Sequence, residues 1–350
     1  MISKLVAIDI DGVLVRGNTV IQGAKNAIQL LQRNRIPHVF VSNGGGVLEA
    51  KKAADLGNKL NLDIRPSQII LSHTPLSDAR LVSKYRDSRV LIVGSYPSCV
   101  NIARHYGYLN AVTIEDICRS QPLIYPLNKG NATLMNHSNE GPLPSVDAIM
   151  VFHDPVHWGL EMQILSDLLV HSNRSSIDES LTTGDGSRRK QTIPLFTTNS
   201  DLAYTTEYPI PRFTQGAFVE AFKQLYRAFH QEELELCRYG KPYKVQYVYA
   251  EKLLLNEAML LQRTKVTSDT VGGMEALLSL PDRCTYFGIG DNPLSDIKGA
   301  NNAGSHWQSI LVRTGIFSNV DSTNDATNPA DVVCDDIGAA VEYILKYTHD

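Results

Sequence analysis

The sequence has no apolar run long enough to cross a bilayer, and its basic residues are not gathered into clusters. Its 33 Lys and Arg and 37 Asp and Glu give a net charge of −4 and are mixed along all 350 residues. Nucleic acids and anionic membranes both require clustered basic residues, so we expect neither as a partner. The five cysteines are far apart and form no C-x-x-C pair, which predicts reduced, mostly buried thiols of an intracellular protein.

Little sequence precedes the first apolar run, Leu5–Ile8, and neither an Arg-rich amphipathic leader nor a secretory segment fits in front of it. Any organellar address is therefore expected to be absent, cleaved off or unconventional.

The first seventy residues alternate short apolar runs with helical patterns. The runs Leu5–Ile8, His38–Val41 and Gln68–Leu71 predict strands, and Ala24–Gln32 and Glu49–Leu60 predict helices. Strands that alternate with helices through short links are typical of a parallel sheet covered on both faces.

The same alternation returns near the end of the chain, where Thr285–Ile289 and Ser309–Val312 predict strands around a helix at Asp296–Ala303. A length of 350 residues favours two domains. We therefore predict an α/β fold in which residues 1–89 and 236–350 form one sheet, interrupted by an inserted α/β domain at 90–235.

The predicted insert has strands and helices of its own. Strands are expected at Val90–Val93, Ala148–Phe152 and Leu195–Thr197, and helices at Leu160–Val170 and Gln215–Phe229. Its polar stretches Asn128–Pro144 and His171–Gln191 predict loops. After the insert we expect a long helix at Lys244–Gln262 and a surface excursion at Thr264–Gly273.

Two carboxylates, Asp9 and Asp11, come directly after the first predicted strand, and Gly12 allows the chain to turn away. Ligands of parallel sheets bind at the carboxyl ends of their strands. An ordinary strand-to-loop turn is the alternative, because Asp and Gly are common in turns.

A second acidic pair, Asp291 and Asp296, follows the strand predicted at Thr285–Ile289. Carboxylates that converge at strand ends cannot all stay ionised without a cation, and Mg²⁺ prefers oxygen ligands. The pattern predicts a magnesium site, although Asp296 could equally be the N-cap of the following helix.

Two further segments could complete a site for phosphoryl transfer. Ser42 precedes Asn43 and three glycines, whose backbone N–H groups could bind phosphate oxygens; a flexible glycine-rich turn is the alternative. Lys241 lies between a glycine and a proline just before the sheet resumes, although most lysines are simply solvated.

These motifs resemble, in order, the four motifs of the haloacid dehalogenase (HAD) superfamily. They are D-x-D-G-V at 9–13, Ser-Asn-Gly at 42–44, Gly-Lys-Pro at 240–242 and G-D-N-x-x-x-D at 290–296. The insert between the second and third motifs is similar to the subclass of N-acetylglucosamine-phosphate, para-nitrophenylphosphate and phosphoglycolate phosphatases. Thr198–Asp201 resembles the T-N-x-D motif of its cap domain, and Gln215–Phe218 falls where its cap has a Gly-rich helix start.

Within that subclass, Val41–Gly46, Ser72–Pro75 and Phe152–Pro155 most resemble the cat eye syndrome critical region protein 5 group. That group includes fungal mitochondrial members tied to glycerophospholipid metabolism. The resemblance implies a Rossmann-like HAD core with an α/β cap, a mitochondrial or alternatively cytoplasmic location, and a possible homodimer through the cap.

The resemblance also implies a role for each matching residue in a Mg²⁺-dependent phosphohydrolase. Asp9 would be the nucleophile and a metal ligand, and Asp11 the general acid/base, with its backbone carbonyl on the metal. Ser42, Asn43 and Lys241 would bind phosphate, with Lys241 also neutralising the nucleophile. Asp291 would ligate Mg²⁺, and Asp296 would ligate it or orient its waters.

The leaving group has no evident binding residue in these motifs, since three glycines follow Asn43. We therefore expect the cap to recognise the phosphorylated metabolite or lipid precursor, through His153, Asp154, Asn199 and Asp201. The alternatives are a catalytically weak or inactive HAD-like binding protein, and a phosphotransferase or phosphonatase on the same core. Intact Asp9, Asp11 and Lys241 argue against an inactive protein.

Overall fold

The computed structural model describes residues 4–95, 97–126, 145–171, 190–204, 208, 210–269, 284–318 and 323–348. They fall into two compact units. The first unit comprises Met1–Asn43, Leu48–Pro75 and Gly240–Asp350, and the inserted unit comprises Gly44–Val47 and Leu76–Tyr239. None of the described helices is both long enough and apolar enough to span a membrane.

The described strands are numbered in chain order. They are β1 (Lys4–Asp9), β2 (Val15–Arg16), β3 (Thr19–Val20), β4 (His38–Val41), β5 (Ile69–Ile70), β6 (Arg89–Val93), β7 (Asn110–Val112), β8 (Ala148–Val151), β9 (Leu195–Thr197), β10 (Ala203–Tyr204), β11 (Arg212–Phe213), β12 (Leu236–Arg238), β13 (Thr285–Gly290), β14 (Trp307–Val312) and β15 (Val332–Cys334).

The described α-helices are numbered in the same way. They are α1 (Ala24–Arg33), α2 (Glu49–Leu60), α3 (Ala79–Tyr85), α4 (Ser98–Tyr106), α5 (Ile114–Ser120), α6 (Trp158–His171), α7 (Gln215–His230), α8 (Lys244–Asp269), α9 (Lys298–Ala303) and α10 (Ile337–Lys346). Short 3₁₀ turns lie at Pro66–Gln68 and Thr74–Ser77, and a π-helical turn lies at Pro293–Ile297.

The first unit contains a six-stranded sheet in the order β15-β14-β13-β1-β4-β5, and all its pairs are parallel. Its central strands are buried along almost their whole length, as expected when helices cover both faces. Along the chain, the strands follow the doubly wound order 3-2-1-4-5-6, which changes direction between β1 and β13. A ligand crevice is expected where β1 and β13 end.

Helix α8 covers one face of this sheet. Its Ala250 and Leu254 are buried and pack in one cluster with Leu5 of β1 and Val39 of β4. The apolar contact fixes the start of α8, and therefore the preceding Lys241, against the centre of the sheet.

The inserted unit has a parallel sheet of its own, in the order β12-β9-β8-β6-β7. Along the chain this is the flavodoxin-like order 2-1-3-4-5, which changes direction between β6 and β8. Its separate core includes Ile149 of β8, Leu165 of α6 and Phe222 of α7, all buried. Each unit is thus a doubly wound α/β layer with its own apolar centre.

The predicted α/β class with a parallel sheet is confirmed, but several boundaries differ from the prediction. The main segment of the inserted unit starts at Leu76, where the prediction has 90, and Tyr108 of this unit donates a hydrogen bond to the Leu76 carbonyl at 2.6 Å. It extends to Tyr239 rather than 235, because β12 pairs with β9. The surface excursion predicted at Thr264–Gly273 is wrong over 264–269, where α8 continues.

Some predicted segments lie outside the described residues. These are 270–273 of the surface excursion, all of the loop predicted at Asn128–Pro144, and 172–189 of the loop predicted at His171–Gln191. His171 itself is the last residue of α6.

Candidate active site

Asp9 and Asp291 lie side by side at the point where the strand order changes direction. Asp9 is the last residue of β1, Asp291 follows the last residue of β13, and the register pairs Ile8 with Ile289. Both aspartates are buried, at 7% and 3% exposure. The fold therefore brings together two carboxylates that are far apart in the sequence, at the edge where parallel sheets bind ligands.

Two glycines allow the backbone to approach Asp291 closely. Gly12 has a φ of +91°, and a Cβ added there would lie 2.3 Å from Asp291 Oδ2. A Cβ at Gly315 would lie 1.8 Å from the same oxygen. Neither position can hold a side chain unless the carboxylate moves.

The loop after β14 orients Asp291. The Ile316 N–H donates to Asp291 Oδ2 at 2.6 Å, and the Phe317 N–H donates to the Asp291 carbonyl at 3.2 Å. The Thr314 hydroxyl donates to the Gly12 carbonyl at 2.6 Å, which ties this loop to the turn after β1. One carboxylate oxygen is thus fixed by backbone.

Asp296 is positioned by the π-helical turn. The Asn292 N–H donates to Asp296 Oδ2 at 3.0 Å, while the Asn292 side chain accepts from the Leu294 N–H at 3.0 Å. Asn292 is therefore the N-cap of this turn, and the alternative N-cap role for Asp296 is wrong. The Tyr247 hydroxyl donates to the Asp296 carbonyl at 2.8 Å and anchors the turn to α8.

Lys241 bridges two of these carboxylates. Its Nζ forms ion pairs with Asp9 Oδ1 and, at 2.6 Å, with Asp296 Oδ1. It also donates to the Val41 carbonyl at 3.3 Å, at the end of β4. The side chain is buried, so Lys241 is an internal counter-ion and not a solvated surface lysine.

Burial and mutual repulsion shift the pKa values of this cluster. Burial raises the pKa of Asp9 well above its ordinary value; Lys241 opposes the shift, and the carboxylates of Asp296, Asp291 and Asp11 add to it. Burial and then the charge of Asp296 raise the pKa of Asp291 to about 7. Burial alone would lower the pKa of Lys241, but Asp296 and Asp9 raise it well above its ordinary value. The lysine therefore stays charged.

The same cluster fits a hard divalent cation. Asp9, Asp291 and Asp296 each present one oxygen, and these oxygens lie within 4.8 Å of one another. One ammonium cannot balance three carboxylates, so bound Mg²⁺ would relieve the remaining repulsion. The Asp11 carboxylate is not part of this group, and its predicted ligand is the backbone carbonyl.

Asp11 and Ser42 contact each other beside the carboxylate cluster. Asp11 is exposed, Ser42 is buried, and the Ser42 hydroxyl donates to Asp11 Oδ2 at 3.3 Å. Solvent access suits a group that must exchange protons, while a buried hydroxyl at the end of β4 suits a fixed contact.

Asn43 has a contact that the sequence did not predict. Its side chain accepts from the Lys241 N–H at 2.8 Å and donates to the Lys241 carbonyl at 3.0 Å. The amide thus positions Lys241, and its predicted contact with phosphate stays a prediction. No local sequence signal connects residues 198 positions apart.

The glycines that follow Asn43 belong to the inserted unit. Gly46 has a φ of +75°, and a Cβ there would lie 3.0 Å from the His153 ring. The Ser98 hydroxyl also donates to the Gly46 carbonyl. Gly46 is therefore required for close packing on His153, a role that the flexible-turn interpretation missed.

The four residues expected to recognise substrate follow β8 and β9 in the inserted unit. Asp154 Oδ1 accepts from the Gln215 N–H at 2.7 Å, at the start of α7. Asn199 Oδ1 accepts from the Asp201 N–H at 2.8 Å. Asp154 and Asn199 thus stabilise local structure, and substrate contact stays a prediction for the whole group. The half-buried His153 lies 3.4 Å from the Ser95 hydroxyl.

Comparisons with known proteins agree with this geometry. Residues 6–109 match the model of a haloacid dehalogenase-like hydrolase family, and residues 238–340 match a HAD-hydrolase-like model. The chain is 36% identical over 348 residues to a mitochondrial hydrolase of Saccharomyces cerevisiae, covering 97% of this chain and 95% of that protein. The chain belongs to the haloacid dehalogenase-like hydrolases.

A Schizosaccharomyces pombe protein, described as a cardiolipin synthase (CMP-forming) and mitochondrial hydrolase fusion, is 30% identical over 340 residues. The match covers 96% of this HAD chain and 52% of the fusion protein. A p-nitrophenyl phosphatase from Archaeoglobus fulgidus superposes with a TM-score of 0.62 at 15% identity, covering 97% and 98% of the two chains, and so shares the fold. The predicted enzyme class, a HAD-type phosphatase with an inserted cap, is confirmed at the level of the family.

Proposed function

We propose that the protein hydrolyses a phosphate monoester through an aspartyl-phosphate on Asp9, with Mg²⁺ held by Asp9, Asp291, Asp296 and the backbone carbonyl of Asp11. The observation that carries the proposal is the ion-paired arrangement of Lys241 with Asp9 and Asp296 beside Asp291. Mg²⁺ bound there would supply positive charge against the phosphate and the buried carboxylates.

Asp9 is the nucleophile of the first step. An Asp9 oxygen forms a bond to phosphorus as the bond between phosphorus and the leaving oxygen breaks. A carboxylate needs no base to activate it at neutral pH, but burial raises the pKa of Asp9 and favours its inert protonated form. The buried ammonium of Lys241, which is ion-paired with Asp9, opposes that protonation.

Asp11 moves the proton. The protonated carboxyl gives its proton to the departing oxygen, and the resulting carboxylate takes a proton from the water that attacks the aspartyl-phosphate. That attack releases inorganic phosphate and regenerates Asp9. The exposure of Asp11 and its contact with Ser42 support this role, since the group must change protonation state twice per turnover.

Ser42 binds the transferring phosphoryl group through its hydroxyl. Its side chain is buried at the end of β4, and its N–H donates to the Ile70 carbonyl at 2.9 Å, which fixes the backbone. A donor that is already held in place loses little entropy on binding, and such positioning is one of the two main contributions to phosphoryl-transfer catalysis, beside electrostatic stabilisation.

The substrate we propose is a small phosphorylated metabolite or a lipid precursor, selected by the inserted unit, in a mitochondrion. One relative is called a mitochondrial hydrolase, and another is joined to a cardiolipin synthase, which favours glycerophospholipid metabolism. A homodimer through the inserted unit belongs to the same proposal, and sedimentation velocity tests it.

The decisive experiment measures phosphate release from p-nitrophenyl phosphate with Mg²⁺ and with EDTA, in parallel with a panel that includes phosphatidylglycerol phosphate and sugar phosphates. We expect release only with Mg²⁺. Equal release in EDTA would contradict the metal role, and no release from any ester, with the fold intact, would contradict the phosphatase.

A further inference from the structure

Arg16 connects the β2–β3 hairpin to the loop that follows β14. Its guanidinium donates to the Thr314 carbonyl at 2.6 Å, although 298 positions of the sequence separate the two residues. Arg16 is the last residue of β2 and is exposed. A hydrogen bond from a charged donor is stronger than one between neutral groups. The contact therefore ties together two segments that are distant in the sequence.

The peptide groups on both sides of Gly12 are oriented by hydrogen bonds. The Gly12 N–H donates to the Val15 carbonyl at 2.8 Å, and the Gly12 carbonyl accepts from the Thr314 hydroxyl at 2.6 Å. In a trans peptide the carbonyl of one residue points opposite to the N–H of the next residue. The contact with Val15 therefore also fixes the direction of the Asp11 carbonyl, the backbone group assigned to Mg²⁺ in the proposed function.

The loop after β14 holds a second predicted metal ligand. Two positions after Thr314, the Ile316 N–H donates to Asp291 Oδ2 at 2.6 Å. Thr314 contacts the chain after β1 twice, through its hydroxyl and through the carbonyl that accepts from Arg16. The Arg16 contact thus joins the segment that directs one metal ligand, a backbone carbonyl, to the segment that holds another, the Asp291 carboxylate.

Lys59 makes a second contact of the same kind with the same hairpin. Its ammonium donates to the Gly17 carbonyl at 3.0 Å, one residue after Arg16. Like Arg16, Lys59 is exposed, but it belongs to α2. The two contacts therefore differ in what they join: the Lys59 contact anchors the hairpin to a helix, whereas the Arg16 contact connects it to the loop that holds Asp291.

We propose that Arg16 is a positioning residue for Mg²⁺, because its contact with Thr314 holds two metal ligands, one on each segment, in their relative position. The inference rests on the metal site of the proposed function. Removal of the guanidinium leaves every metal ligand in the chain, but the two segments are then less well fixed to each other. Part of the free energy of metal binding must then offset the cost of ordering them, so Mg²⁺ should bind more weakly.

The test compares R16M with the matched control K59M and with the original protein, each as the full chain. Without substrate, the dependence of the melting temperature on the Mg²⁺ concentration yields the dissociation constant of the metal. Phosphate release from p-nitrophenyl phosphate yields the Mg²⁺ concentration for half-maximal activity, and kcat and KM at saturating Mg²⁺. In the absence of Mg²⁺, both variants should lower the melting temperature, since each loses one hydrogen bond to the hairpin.

R16M should raise both Mg²⁺ constants about fivefold, the effect of one lost hydrogen bond, and leave kcat and KM at saturating Mg²⁺ within about twofold of the original values. K59M should leave both Mg²⁺ constants within about twofold of the original values. An unchanged Mg²⁺ affinity in R16M, or an equal loss of affinity in K59M, would overturn the inference.

The proposed function fails in a different way. If the original protein released no phosphate although its melting temperature rose with Mg²⁺, the phosphatase would be contradicted, and the comparison of R16M with K59M would still decide the role of Arg16. If the melting temperature of the original protein did not respond to Mg²⁺, the metal site and the role of Arg16 would both be refuted.

Discussion

Asn43 and Lys241 exchange two hydrogen bonds across 198 positions of the sequence, side chain to backbone in both directions. The pair joins the segment that follows β4 to the segment that precedes α8, and so fixes the backbone position from which the Lys241 ammonium reaches Asp9. The lysine has the correct position only while the asparagine holds its backbone.

Asn43→Ala should therefore lower kcat for p-nitrophenyl phosphate about tenfold or more, with a smaller change in KM, because Lys241 loses its position. The exposed Asn58, in the last turn of α2, provides the control, and Asn58→Ala should leave kcat unchanged. A purely structural role for Asn43 would instead lower the melting temperature and leave kcat of the folded fraction intact.

Asp9→Asn should abolish phosphatase activity, by at least about a thousandfold, because an amide is not a competent nucleophile. Folding should persist, since Lys241 keeps its ion pair with Asp296. Steady-state kinetics and thermal unfolding check both parts, with Asp55→Asn on the exposed side of α2 as the control. Activity within tenfold of the original protein would disprove the nucleophile assignment.

Asp11→Asn should slow the first step, formation of the aspartyl-phosphate, far more with glycerol phosphate than with p-nitrophenyl phosphate. A nitrophenolate leaves without a proton, whereas an alkoxide does not. Rapid-quench measurement of the first step separates it from the second, in which Asp11 acts as base for both substrates. If the first step slowed equally for the two esters, the acid role would be incorrect.

Gly12→Ala should weaken activation by Mg²⁺, because its Cβ would displace the Asp291 carboxylate. Gly23 is a matched control, since its φ of +84° carries similar strain but a Cβ there meets nothing within 4 Å. Both substitutions should reduce the free energy of unfolding by about 1 kcal/mol or more, through the positive φ. Only Gly12→Ala should raise the Mg²⁺ concentration needed for half-maximal activity, and the same rise in Gly23→Ala would contradict the explanation.

Asp154→Ala should lower the free energy of unfolding by about 1 kcal/mol, because α7 loses the carboxylate that accepts from its first N–H. All substrates should then be affected alike. His153→Ala should instead change the order of preference among phosphate esters, with Mg²⁺ dependence unaltered. An unchanged order in His153→Ala would remove this residue from substrate recognition.

The sequence predicted the residues that lie at strand ends and little of what joins them. Asp9 and Asp291 each follow a buried apolar run, and the rule for parallel sheets places both at one edge. Strand order is a long-range property, so the proximity of Lys241 to Asp296 could not be derived from local pattern. Only the structure shows which carboxylates of the predicted magnesium cluster lie close together, namely those of Asp9, Asp291 and Asp296.

The inserted unit was harder to predict because its elements are short. β7 and β12 have three residues each, too few for periodicity to distinguish them from loops. Gly44–Val47 belongs to this unit although it lies between two segments of the first unit. The composition of these four residues does not indicate which unit they belong to.

The two strand orders have a consequence for synthesis on the ribosome. The strand β1 needs β13 as a neighbour, so the first sheet cannot close until residue Thr285 and those beyond it have emerged. The five strands of the inserted sheet are all made by Arg238. Domains fold as units during translation, so the middle of the polypeptide should mature before its beginning. Until then the partial sheet of β1, β4 and β5 has an unpaired edge at β1, which nascent-chain chaperones would have to protect.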